Sequence, residues 1–214
     1  MNRDAGLNVF EVFTSLQGES SFAGLPFVFV RLAGCNLNCA WCDTPAAQSF
    51  ASGHTVPVSE VMEQVVSTGM RHVCITGGEP LLQTGATDLM RRLLHAGLTI
   101  TVETNGSLDV SSCPDGVMRI IDIKCPSSAM ADHNRFDNFR LLRRGDEIKC
   151  VVADRDDYEY AREIVLRHLP AFQGPVFFSP VLDRLEPRLL ANWMISDKIC
   201  ARLQIQLHKI IGIA

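Results

Sequence analysis

Three cysteines, Cys35, Cys39 and Cys42, fall within eight positions at the spacing C-x3-C-x2-C. Soft thiolate donors this close together suit zinc or an iron–sulfur cluster. A structural zinc site wants four ligands, and the nearest further candidates, Cys74 and His54, stand at no finger-like spacing. Ferredoxin-type clusters are also closed by four cysteines. Three clustered thiols without an evident fourth therefore suggest a cubane with one iron left open, where something other than protein can bind. The remaining cysteines, Cys74, Cys113, Cys125, Cys150 and Cys200, are scattered and read as free thiols, mostly in the core. Cys113 and Cys125 lack the further partners that an auxiliary cluster would need.

The elements that must position these thiols are legible as apolar runs. Strands are expected at 27–33, 72–76, 99–104, 118–124, 147–153 and 175–181, after a shorter one at 9–13 and before a last extended stretch at 202–208. Helices are expected at 58–69, 86–97, 158–169 and 186–200, with a poorer one near 137–144. In the first, Val58, Val61, Met62, Val65 and Val66 recur at helical period, with Ser59 as a candidate N-cap and Gly69 as a stop. Strands apolar on both faces that alternate with helices predict a parallel α/β fold. Six units are too few for a closed eight-fold barrel but suit an open, partial (β/α)6 barrel forming a single domain over 1–214. Such a fold places its chemistry at the C-terminal ends of the strands. Polar motifs do gather there: GCNLNCAWCDT after 27–33, GGEP after 72–76, ETNG closing 99–104, DIK closing 118–124 and FFSPV within 175–181.

Gly77-Gly78-Glu79-Pro80 would let the backbone approach a ligand closely while Glu79 accepts from an ammonium group; alone, it would be an ordinary strand-to-helix turn. Together with the cysteine triplet it resembles the radical S-adenosylmethionine (SAM) superfamily. That resemblance implies a 4Fe-4S cluster on Cys35, Cys39 and Cys42 whose open iron is chelated by SAM. It also implies SAM contacts from Trp41, Cys42 and Asp43, from Gly78 and Glu79, from Asp122, Ile123 and Lys124, and from Ser179, Pro180, Val181 and Leu182. The superfamily pattern at 122–124 tends to be Ser-Pro-Lys; here Asp-Ile-Lys keeps the lysine and replaces a hydroxyl by a charge.

FTSLQGES near the N-terminus, the arginine of FVFVRLAGCNL, the CDT after Cys42 and the terminal QLHKIIGIA resemble the family of 7-carboxy-7-deazaguanine synthases over essentially the whole chain. The resemblance implies a carbon–nitrogen lyase of the pathway to queuosine and related deazapurines. Such an enzyme converts 6-carboxy-5,6,7,8-tetrahydropterin to 7-carboxy-7-deazaguanine, with loss of ammonia, by a SAM-derived radical ring contraction. It implies substrate contacts from Leu16, Gln17, Gly18, Arg31, Thr76, His208 and the carboxylate of Ala214, where the family usually ends in proline. It implies Mg2+ at Thr44, an external electron donor such as flavodoxin or ferredoxin, and a homodimer.

The residues leave alternatives open. Arg31, inside an apolar strand, needs an anion: a substrate carboxylate or a protein carboxylate. Thr44 would serve equally as an N-cap hydroxyl, Glu103 as a cavity group or a core-pairing carboxylate, and His208 as an interface histidine. Leu16-Gln17-Gly18, with Glu19, would read a pterin edge or simply form a polar turn. Activating enzymes for glycyl-radical proteins share the cysteine spacing and are the main rival; a zinc or iron–sulfur module without catalysis is the other. The 214 residues carry a formal net charge of −4, which argues against nucleic-acid binding. No apolar run reaches the ~18 residues of a membrane span and no secretory pattern opens the chain, so a cytoplasmic location is expected.

Overall fold

The apolar runs read as strands are strands in the computed structural model, which describes residues 4–213. They join one open sheet with neighbours in the order β3-β1-β2-β4-β5-β6-β7-β8-β9. The expected six parallel strands stand side by side: β2 (Pro26–Leu32), β4 (His72–Gly77), β5 (Thr99–Thr104), β6 (Met118–Ile123), β7 (Glu147–Val152) and β8 (Val176–Pro180). Two antiparallel strands extend one side, β1 (Gly6–Leu16) and β3 (His54–Pro57), and the two-residue β9 (Arg202–Leu203) adds a parallel edge on the other. The sheet curls without closing, the partial barrel expected from six units.

Alternate residues of the parallel strands face opposite layers. Val28, Val30, Leu32, Val73 and Ile75 pack outward under α1 (Val58–Ser67) and α2 (Thr84–His95). Ile121, Ile123, Ile148, Val152 and Phe178 do the same under α3 (Arg155–His168) and α4 (Pro187–Asp197). The inward set is aromatic at its base, Phe27, Phe29 and Cys74 against Phe13 and Phe22, and polar above it, where Arg31 pairs with Thr76 and Asp122 with Lys149 in register. Cavity chemistry thus occupies the C-terminal half of the barrel.

Several expectations are corrected. The β5–β6 and β6–β7 crossovers contain no α-helix; the segment read as helix 137–144 is a 3-10 turn, Phe136–Leu141, anchored by Asn138, whose amide bonds Gly106 O and Leu108 O and accepts from Val110 N. Helix α1 starts at Val58, so Ser59 lies inside it, and the amide of Ser59 is capped by Asp4 Oδ2 at 3.1 Å. Val58, Val61 and Val65 are buried, but Val66 is exposed. Gly69 does end the helix, at φ +69°. The stretch 202–208 pairs at only two residues and then turns into the short α5 (Leu207–Ile211). Cys200 is exposed rather than core, and Cys113 and Cys125 sit in different core clusters.

Beneath β6, Arg119 and Asp146 form a fully buried ion pair, and the guanidinium also reaches Val110 O and Leu141 O. Asp146 accepts from Arg143 N at 2.6 Å as well. The pair is satisfied on both sides, as a buried charge must be, and it ties the irregular crossovers to the sheet.

Candidate functional site

The cysteine loop leaves β2 at Leu32 and is held by backbone bonds from three directions. Gly34 N and Cys35 N donate to Ala47 O and Gln48 O, at 2.8 and 2.9 Å, and Ala40 N donates to Ser128 O at 3.1 Å. From β4, Gly78 N bonds Leu32 O and Glu79 N bonds Gly34 O, both at 2.8 Å. This docking explains the glycine pair. A Cβ on Gly77 (φ +125°) would stand 2.1 Å from Leu32 O, and one on Gly78 2.0 Å from Gly34 O. The GGEP turn is thus the brace of the cysteine loop.

Glu79 is fully buried, and its carboxylate accepts from Leu81 N and Thr104 Oγ1, both at 2.9 Å, and from Asn105 N at 2.7 Å. Burial raises its pKa despite these bonds. The carboxylate expected to reach a cofactor ammonium is therefore taken up by Leu81 of its own turn and by Thr104 and Asn105 at the end of β5, and does not line the cavity.

Cys35, Cys39 and Cys42 line one cavity of about 440 Å³, within the range of small-ligand sites. Among the described residues no three His, Cys, Asp or Glu form a ready-made site for a single metal ion; the three thiols lining the cavity are the soft donors that an iron–sulfur cluster takes. Cys35 Sγ accepts from Leu37 N at 3.4 Å and Asn105 Nδ2 at 3.7 Å. Burial pushes the Cys39 thiol up, opposed by the Lys124 ammonium. On the wall beside it, Lys124 Nζ holds Asp122 Oδ2 at 2.8 Å, while Asp122 Oδ1 is buried without a partner. An acceptor left bare in a cavity wall fits a ligand hydroxyl, so this donor set suits the cluster and cofactor that the spacing implies.

A second polar array crosses the cavity. Glu103 accepts from Gln17 Nε2 at 3.3 Å and Thr76 Oγ1 at 2.9 Å. Glu19 bonds Lys149 Nζ at 2.5 Å and Gln206 Nε2; that amide also donates to Asp43 Oδ2 at 2.9 Å, and Lys209 Nζ reaches Asp43 Oδ1 at 2.5 Å. Burial works against the Glu19 carboxylate, but the Lys149 ammonium overcomes it and holds the pKa below its usual range; Lys149, desolvated yet facing Glu19 and Asp122, is held well above its own. Asp43 is likewise held low, Lys209 outweighing burial. These bonds clip the C-terminal segment over the mouth. Leu207 N bonds Gly18 O at 2.9 Å, and His208 packs so closely on Gly18 that a Cβ there would lie 2.0 Å from its Nδ1.

Arg31 lies over Phe13 at 5.2 Å and donates to Glu11 Oε1 at 2.8 Å and to Thr44 Oγ1 at 2.9 Å. The intraprotein carboxylate is present, in Glu11. Thr44 precedes the 3-10 turn Pro45–Ala47 without a side-chain cap bond, so its hydroxyl serves Arg31 rather than a helix end.

Of the residues read from the sequence, the structure brings to the cavity Leu16, Gln17, Gly18, Arg31, Trp41, Asp43, Thr44, Thr76, Gly78, Asp122, Ile123, Lys124 and His208, along with the three cysteines. Ser179, Pro180, Val181 and Leu182 do not line it; Ser179 pairs in register with the lining Val151, and its buried Oγ has no partner. Ala214 lies outside the described residues. Asn105, Lys149 and Lys209 line the cavity although sequence reasoning passes over them. Lys149 had a signal, a lone cation inside the apolar run EIKCVV, as Arg31 is in FVFVRLA.

The pattern of the Radical SAM superfamily matches residues 30–126. A protein of Chlorobaculum tepidum named 7-carboxy-7-deazaguanine synthase is 43% identical over 99% of this chain and 96% of its own length. A protein of the same name from Methanospirillum hungatei is 40% identical over 99% of this chain and 88% of its own length. The crystal structure of QueE from Escherichia coli superposes with a TM-score of 0.78 at 26% identity, covering 95% of each chain. The SuiB structure of Streptococcus suis, at 14% identity and a TM-score of 0.56, shares the fold over 81% of this chain.

Proposed function

The chain belongs to the 7-carboxy-7-deazaguanine synthases of the radical SAM superfamily, and from that membership we propose how its residues divide the work of the reaction. The reaction converts 6-carboxy-5,6,7,8-tetrahydropterin to 7-carboxy-7-deazaguanine with loss of ammonia. When bound, the reduced cluster and SAM supply hydrogen-atom abstraction from carbon, the step that opens the ring contraction.

Cys35, Cys39 and Cys42 hold the cluster, and the Gly77-Gly78 backbone keeps their loop in place. Trp41, Asp43, Gly78 and Asp122 to Lys124 border SAM, with Asp122 Oδ1 free to accept from a ribose hydroxyl. Val151, near the end of β7, borders the adenine, and Ser179 to Leu182, on and after the neighbouring β8, back that wall rather than line it. Arg31, in the cavity wall, presents its guanidinium to the substrate carboxylate, a charge-assisted contact. Thr44 Oγ1 offers one oxygen to Mg2+, the rest coming from substrate and water, in keeping with that ion's preference for few protein ligands. Gln17, Glu19, Glu103 and Thr76 face the donor and acceptor edge of the pterin; His208 approaches it from the tail. The clipped tail excludes water and fixes orientation. We infer an external one-electron donor such as flavodoxin or ferredoxin, and a homodimer, for which exposed Leu203, Ile210 and Ile211 offer apolar surface. No described helix is long and apolar enough to cross a membrane.

One observation carries this reading over the glycyl-radical rival: the thiols and the Arg31, Glu103 and Glu19 groups line one cavity roofed by the chain's own C-terminal segment. A partner protein's glycine would need an open mouth. The test is anaerobic reconstitution followed by incubation with SAM, reductant, Mg2+ and carboxytetrahydropterin. Formation of 7-carboxy-7-deazaguanine is expected; a loaded protein that cleaves SAM but makes no deazaguanine rejects the assignment.

A further inference from the structure

The ETNG turn after β5 puts Asn105 between the two motifs of the cluster loop. Asn105 is buried. Its backbone N–H donates to Glu79 Oε2 at 2.7 Å, and its side-chain Nδ2 donates to Cys35 Sγ at 3.7 Å and to Asn36 Oδ1 at 3.1 Å. The amide cannot be turned around without loss: Oδ1 already accepts from Ser107 N at 3.0 Å and Ser107 Oγ at 2.7 Å, and Asn36 Nδ2 donates to that same Oγ at 2.8 Å. A ring of hydrogen bonds, Asn36 to Ser107 to Asn105 and back, therefore fixes the amide with its N–H aimed at the sulfur.

We propose that Asn105 is a positioning residue for the cluster: its side-chain amide holds the Cys35 sulfur and raises the reduction potential of the cluster bound there. The inference rests on the proposed binding of the cluster by Cys35, Cys39 and Cys42. Reduction adds negative charge shared by the cluster and its thiolates. An N–H pointed at a ligating sulfur stabilises that charge, so hydrogen bonds to sulfur are among the levers that set cluster potentials. Without it, the cluster is harder to reduce by the external donor. In the same way, the bond from Asn105 N to Glu79 couples the GGEP turn to the ligand loop.

The test compares the reconstituted wild type with Asn105→Leu and Asn105→Asp by iron analysis and an EPR-monitored redox titration without SAM. Asn105→Leu removes the donor. Asn105→Asp keeps an acceptor for Ser107 and turns a carboxylate oxygen toward Cys35. Both are expected to retain four irons per chain and to shift the midpoint negative, Asp more than Leu. An about tenfold loss in the equilibrium for reduction is a shift of about 59 mV for one electron. Midpoints equal to wild type in both loaded variants overturn the proposal. If neither variant holds iron, Ser107→Ala decides: it leaves the amide in place but frees it to rotate. A negative shift then supports the proposal, and an unchanged midpoint overturns it. A wild type that binds no cluster instead rejects the cluster reading itself.

Discussion

Glu19 and Lys149 meet at 2.5 Å in the cavity wall, both almost sheltered from water. Removing one partner of such a pair leaves the other's desolvation uncompensated, at a cost of about 3–5 kcal/mol. Lys149→Met is therefore expected to lower the melting temperature sharply in calorimetry, with partial recovery when Glu19→Gln is added. The pH dependence has a defined sign. Glu19 titrates below its ordinary 4.5 in the folded protein, so its contribution is present above that value and lost as pH falls through the lower folded one. Melting curves of wild type and Glu19→Gln should diverge above pH 4.5 and draw together in stronger acid; a gap that widens in acid would contradict the pairing. At this scale the sequence exposes the cysteines and Arg31, whose types are conspicuous in their surroundings. Asn105 is a polar residue in a polar turn and Gln206 a polar position of an alternating segment, and only the contacts to Cys35 and Glu19 distinguish them.

The elements matter through how closely their ends dock. Gly78 stands where a Cβ would meet Gly34 O at 2.0 Å, a backbone atom that cannot swing aside. Gly78→Ala should push the cysteine loop off its brace and cut iron bound per chain after reconstitution, while far-ultraviolet circular dichroism stays near wild type; full iron loading would show that the brace is dispensable. The six parallel strands are legible because burial on both faces makes them continuous apolar runs. The full extent of β1 is less so, since its residues are mostly half-exposed and blur the alternation. The tail 202–208 alternates like a strand, yet Gln204 and Gln206 turn inward to Ser20 O and Glu19, which ends pairing after Leu203. Tertiary hydrogen bonds there outweigh the local pattern.

For the whole molecule, two halves of one open sheet must stay aligned so that groups from β2, β4, β5, β6 and β7 share a cavity. The Arg119–Asp146 pair under β6 and β7 serves that alignment from below. Asp146→Ala, which strands the guanidinium in the core, should cost about 3–5 kcal/mol, seen as a lower denaturation midpoint; a change below 1 kcal/mol would contradict this role. The parallel core and its polar strand ends are legible from sequence as fold and site together. Closure of the mouth is not, because it depends on residues some 160 positions apart, Asp43 with Gln206 and Lys209. The central claim is that three thiols hold a cluster whose remaining corner is open to an outside ligand. Mössbauer spectra of the reconstituted, iron-labelled protein with and without SAM test it most directly. One iron of the four is predicted to change on adding SAM, and to do so equally in Cys125→Ala, which removes the other cysteine lining the cavity. Four irons indifferent to SAM, or a cluster lost with Cys125, would contradict it.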